Sequence, residues 1–203
     1  MEKQKLEAII EQIDRAEALS EENDFPEARD ALLAVHAECA RHGWESGFLN
    51  WRLCVAFDTL EEHELAFKYV QQALRMDPLA PPFRNSFGVV VKRIQKAILE
   101  AEPGEEDFVS RYYELLVNAG EGNDAVHIAM ARDLNARGEH ERALGLMNAL
   151  TVLSPGCRDA WLARAAICRS LGDHEAAREA DVEAAALTEG PKVPFAVSGS
   201  AEA

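Results

Sequence analysis

Three short segments repeat one another. Glu62-His63-Glu64-Leu65-Ala66, Glu139-His140-Glu141-Arg142-Ala143 and Asp173-His174-Glu175-Ala176-Ala177 each read acidic-His-Glu-x-Ala. The last two are 34 residues apart, and Ala66 and Ala143 are 77 apart, which leaves room for one longer unit between them. A fixed period of that length predicts stacked helical hairpins. Each hairpin buries one face on its neighbours and leaves another free, so a binding scaffold is expected, with no catalyst in it.

The apolar spacing supports helices throughout. Leu6, Ile9, Ile10, Ile13, Ala16 and Leu19 fall at i, i+3, i+4 and i+7 and predict an amphipathic helix over 3–19. Asn23-Asp24-Phe25-Pro26 then opens a second helix that runs to about Arg41, and Gly43 ends the hairpin. Further helices are expected at about 46–60 and 63–76, the latter closed by Asp77-Pro78. After Pro81-Pro82, the residues Phe87, Val90, Val91, Ile94, Ala97 and Ile98 form one stripe of a long helix. Val89-Val90-Val91 alone suits a strand, but the helical period on both sides overrules it. Pro103-Gly104 breaks the chain, and Glu105-Glu106-Asp107 starts the next helix at the favourable end of its dipole. Two regular hairpins follow at about 124–137 with 139–153 and 158–171 with 174–187, with Gly138 and Gly172 at their turns. One helical-repeat domain over 1–187 and a flexible tail over 188–203, rich in glycine, proline and small polar residues, complete the expected organisation.

Composition narrows the function. The net charge of −15 argues against a nucleic-acid partner, since phosphate binding needs a basic footprint. No apolar run approaches the roughly 20 residues of a membrane span, and the N-terminus lacks the apolar core of a secretion signal, so a cytoplasmic location is expected. Cys39, Cys54, Cys157 and Cys168 contain no Cys-x-x-Cys pair and read as reduced, mostly buried thiols. His36-x-x-Cys39-x-x-His42 places three candidate ligands near one helix face but lacks a fourth, so no metal is expected. None of the His-Glu pairs completes His-Glu-x-x-His, because Phe67, Leu144 and Arg178 stand where the second histidine belongs. No phosphate loop, nucleophile elbow or paired-carboxylate arrangement is present, and neither an enzyme nor a cofactor is expected.

The hairpins resemble tetratricopeptide repeats, whose pattern places an aromatic at position 4, small residues at 8, 20 and 27, and proline at 32. The last unit supplies Trp161, Ala165, Gly172, Ala177 and Ala184, and the unit before it Ala131, Gly138, Ala143 and Pro155. The second unit supplies Cys54, Ala66, Ala73, Leu74 and Pro78, and the first Ala16 and Ala28. Leu150 and Asp181 depart from the pattern, and 79–122 matches it poorly. The resemblance implies an all-α, right-handed superhelical solenoid of about five antiparallel hairpins, the third divergent.

The same resemblance implies which side chains face a concave groove. They are Phe48, Trp51, Arg52, Val55, Asp58 and Thr59 in the second unit, and Ala125, Ile128, Ala129, Arg132, Asn135 and Ala136 in the fourth. The fifth adds Asp159, Leu162, Ala163, Ala166, Arg169 and Ser170. An apolar groove with Arg52, Arg132 and Arg169 along it suits an amphipathic or acidic segment of a partner protein, as expected of an adaptor or chaperone. The competing reading makes Phe48 and Trp51 core residues and the arginines solvated surface. A second candidate surface is basic. Arg84, Lys92, Arg93 and Lys96 lie between Pro78 and Leu99 with no acid among them, while the remainder of the chain sums to −19. One reading is that these cations offset the surrounding acidity within the fold; the other makes them a dock for an acidic partner or a second copy. Self-assembly as a homo-oligomeric scaffold, through the alanine-rich last helix, is the alternative function.

Overall fold

The computed structural model describes residues 2–102 and 105–187. Among them are ten α-helices and no strand. They are α1 (Glu2–Glu21), α2 (Phe25–Arg41), α3 (Gly47–Thr59), α4 (His63–Met76), α5 (Pro81–Glu100), α6 (Glu106–Asn118), α7 (Asp124–Ala136), α8 (His140–Leu153), α9 (Arg158–Ser170) and α10 (His174–Ala186). Every helix expected from the sequence is present, and Val89-Val90-Val91 lies inside α5. The expected tail, 188–203, and the break at Pro103-Gly104 lie outside the described residues.

Local chemistry sets the helix starts. The side chains of Asp24, Ser46, Asn123 and Asp173 each accept a hydrogen bond from the backbone N–H three residues on, which supplies one of the orphan donors of a first turn. The recurrent His-Glu pairs begin α4, α8 and α10, with the glutamate in the first turn, where its charge favours the dipole. Their alanines, Ala66, Ala143 and Ala177, are buried where the two helices of a hairpin meet.

The turns within hairpins share one geometry. Asn23, Glu61, Gly138 and Gly172 all have φ between 62° and 80°. The residue after each donates its N–H to a carbonyl five residues back, for example Glu62 to Phe57 at 2.9 Å and Asp173 to Cys168 at 3.0 Å. This is the αL termination that returns the chain antiparallel.

The contacts gather into two compact units, Met1–Ala97 and Ile98–Ala203. In the first, α1 packs on α2, α2 on α3 and α3 on α4. Its core holds Leu32, Val35, Leu49, Leu53 and Val70, with Phe57 stacked on Tyr69 at 5.4 Å. Val90, Val91 and Ile94 of α5 are buried, as their stripe requires, and Phe87 contacts Phe67 at 5.5 Å. In the second unit α6 packs on α7, α7 on α8 and α9, α8 on α9, and α9 on α10. Leu116, Val126, Met147 and Ile167 fill its core, with Ala160, Ala165 and Ala180 at close approaches.

Candidate functional site

In the first unit, the candidate face of α3 is partly apolar and partly tied down. Phe48 is 47% exposed and Val55 is also exposed, so neither is a core residue. Trp51 is half-buried between Phe48 and Phe83, at ring distances of 5.5 and 6.3 Å, and its Nε1 donates to Ser86 Oγ at 2.9 Å. Arg52 lies 5.7 Å from the Trp51 ring, and its Nε is 3.2 Å from Glu17 Oε1 of α1. Thr59 donates to the Val55 carbonyl. Asp58 receives Arg93, whose Nη1 lies 3.2 Å from its carboxylate and 3.0 Å from its backbone oxygen.

That pairing qualifies the basic surface. Arg84, Lys92, Arg93 and Lys96 are all exposed on α5, the last three as their spacing away from the apolar stripe requires. Arg93 nevertheless spends its charge on Asp58 of α3.

In the second unit, a cavity of about 490 Å³ runs along α7. Ala125, Ile128, Ala129, Arg132 and Ala136 line it, five of the six α7 positions expected to face a groove. Ile128 is only 5% exposed and forms wall, while Arg132 is exposed. The sixth, Asn135, is turned to the hairpin turn, where its Oδ1 lies 2.8 Å from His140 Nδ1. Ile98 and Leu99 at the end of α5, Val109 of α6, Ala101 and Glu102 from the link between them, Asp133 and Arg137 beside α7's inward face, and Asp159 of α9 complete the cavity. The first three are invisible to the repeat register because they come from 79–122, where the pattern fails. The apolar stripe of α5 was the available signal for Ile98.

Charge pairing separates the three expected groove arginines. Arg52 is held by Glu17, and Arg169 by Asp181 of α10. That second pair accounts for the aspartate at an expected apolar position. Arg132 forms no ion pair among the described residues. Its neighbour Arg137 is engaged with Asp133 at 2.7 Å and with Glu139 at 3.5 Å. The groove thus offers one uncommitted guanidinium beside alanines, with Glu102, Asp133 and Asp159 also in its lining. Leu162 of α9 is exposed, as are Ala166 and Ser170, whereas Ala163 is buried.

The remaining sequence candidates have structural partners. His36 meets Tyr69 edge-on at 5.6 Å, and His42 lies 3.0 Å from Glu38. Among the described residues no group of three metal-ligating side chains is assembled. The four cysteines are unpaired, and burial, followed by the charge of Asp58, pushes the Cys54 thiol up to about 12, so it stays protonated at neutral pH. Among the described residues no helix is long and apolar enough to cross a membrane.

Residues 128–194 match the family model of the tetratricopeptide repeat. Solved structures with a similar chain path include MamA from AMB-1, at 17% identity over 92% of this chain and 94% of that one, with a TM-score of 0.45. MamA 41-end from Desulfovibrio magneticus RS-1 is 15% identical over 88% and 94%, with a TM-score of 0.39. YrrB, described as a TPR protein with an unusual peptide-binding site, is 18% identical over 87% and 84%, with a TM-score of 0.39. No curated protein matches the sequence.

Proposed function

We propose that this chain, which carries tetratricopeptide repeats, is a non-catalytic protein-interaction module that holds a peptide or helix of a partner protein along α7. The observation that carries the reading is the α7 groove, with its alanine walls and the uncommitted Arg132. Alanine walls admit a backbone or a helix face closely, and a guanidinium that owes nothing to its own fold is available to a partner carboxylate. Glu102 and Asp159 in the same lining favour a segment that also carries a cation. Such a module acts as an adaptor or chaperone, and its partner is mixed in charge rather than uniformly acidic.

The test begins with a pull-down of the intact protein and mass spectrometry to obtain the partner. Arg132→Glu is then compared with Lys92→Glu/Lys96→Glu by calorimetry. Losing a desolvated charge contact costs roughly 2–5 kcal/mol of binding, whereas an exposed charge reversal shifts stability by about 0.5 kcal/mol or less. We expect Arg132→Glu to abolish measurable binding with an unchanged melt. Loss of binding in the lysine pair alone would move the working surface to α5.

A second reading rests on α10. Val182 is 66% exposed there, beside exposed Ala185 and Ala186, which suits pairing with another copy. Light scattering over a concentration series separates the two, since a strict monomer removes the scaffold reading.

A further inference from the structure

The last hairpin departs from the other two recurring segments at one outward position. Five residues after the alanine of each segment stand Gln71, Asn148 and Val182. The first two are polar side chains at partly or fully exposed sites, and Asn148 Oδ1 accepts from Arg164 Nε at 2.9 Å. Val182 instead leaves an apolar side chain 66% exposed. It lies in a shallow groove of about 570 Å³ between α9 and α10, with the half-buried Trp161 ring as the other apolar wall. The rest of the lining is charged. Glu175, Glu179 and Glu183 stand against Arg178 and Arg164, three carboxylates to two guanidiniums.

The sequence that follows α10 has the matching chemistry. Leu187 has extended backbone angles, φ −85° and ψ 115°, so the chain turns off the helix axis there. In Lys192-Val193-Pro194-Phe195-Ala196-Val197 the residues Val193, Phe195 and Val197 alternate, so one side of an extended segment would carry all three. Pro191 and Pro194 favour extended backbone at and just before themselves, which lowers the entropy lost when such a segment is ordered. The charges between Leu187 and Val197 are Glu189 and Lys192, and the lysine suits the surplus of carboxylates. Reach is not limiting. Phe195 is eight residues beyond Leu187, an extended span of roughly 26 Å at about 3.3 Å per residue. From Leu187 back to Glu175, at the far end of the groove, α10 covers about 18 Å at about 1.5 Å per residue.

We propose that residues 192–197 lie extended in the α9–α10 groove of their own chain, with the Phe195 side on Val182 and the Trp161 ring and Lys192 beside the glutamates. Tethering favours this occupant over a second copy, because a short linker holds the segment at an effective concentration on the order of millimolar. A two-fold pairing through the same face would also set Glu179 and Glu183 near their own counterparts, where like charges repel. Any partner that uses this face must first displace the segment. The proposal is independent of the α7 groove, and its test does not read partner binding.

The test uses the full chain, labelled with ¹³C and ¹⁵N, and follows nuclear Overhauser contacts of the Phe195 ring. Contacts to the Val182 methyls and the Trp161 indole are expected, unchanged on dilution and absent between molecules in a mixture of labelled and unlabelled chain. Val182→Asn places the residue of the preceding hairpin at an exposed site, so it should release the segment and leave the circular dichroism spectrum unchanged. Phe195→Asp should release it as well, and speed amide exchange in the last turn of α10 by about tenfold, the scale of one lost apolar burial. A Phe195 ring without contacts to α9 or α10, contacts found only between molecules, which would seat a second copy in the groove, or contacts that survive Val182→Asn unchanged would each overturn the proposal.

Discussion

Glu61 holds a backbone conformation that costs an L-residue roughly 1–2 kcal/mol, in a turn where two of its three counterparts are glycine. The third, Asn23, is the type that tolerates this region best. Its side chain is exposed, so nothing visible in the first unit repays the strain. Glu61→Gly should therefore stabilise the fold by about 1 kcal/mol or slightly less, after the extra chain entropy of glycine is subtracted. Urea denaturation followed by circular dichroism measures this, and a loss of stability would show that the Glu61 side chain contributes to the turn. His127 supplies a residue-scale effect of pH. Burial holds its pKa below the usual 6.5, against a smaller upward pull from Asp124. The folded state thus disfavours the proton, stability is fully present above about pH 6.5, and it is lost as pH falls through the depressed folded value. Thermal melts between about pH 8 and pH 5 should decline on the acid side, and His127→Gln should flatten that part of the profile.

At the scale of elements, the helices were legible because each boundary has its own local chemistry. Asp24, Ser46, Asn123 and Asp173 cap the starts, and αL residues close the turns; neither device needs a distant partner to be recognised. The α7 positions that line the cavity are ones the resemblance to tetratricopeptide repeats assigns inward, an assignment made along one helix without knowledge of what lies opposite. What lies opposite was not legible. Arg52 and Arg169 occupy the same register as groove residues, yet Glu17 and Asp181 claim them from other helices. Pairing across helices depends on packing that the period does not encode. Leu99 and Val109 entered the groove from the stretch where the repeat pattern fails, so no register predicted them.

For the whole molecule, the division into two compact units makes a statement about cooperativity that exchange of backbone amides can read. Ala143 is fully buried in the second unit and Ala66 fully buried in the first, at the same place in the recurring segment. Leucine at either site overpacks a close helix approach, at about 1–3 kcal/mol. In a repeat fold each hairpin leans mainly on its neighbours, so the damage should stay near its source. Ala143→Leu is expected to speed hydrogen exchange across α7 to α10, by roughly tenfold for each 1.4 kcal/mol lost, and to leave α1 to α4 close to wild type. Ala66→Leu should produce the reverse pattern. Hydrogen exchange with mass spectrometry resolves the two sets of peptides, and an Ala185→Leu variant, at an exposed position of α10, controls for the added side chain itself. Uniform acceleration in both core variants would mean that all ten helices open together and that the two units are one cooperative block.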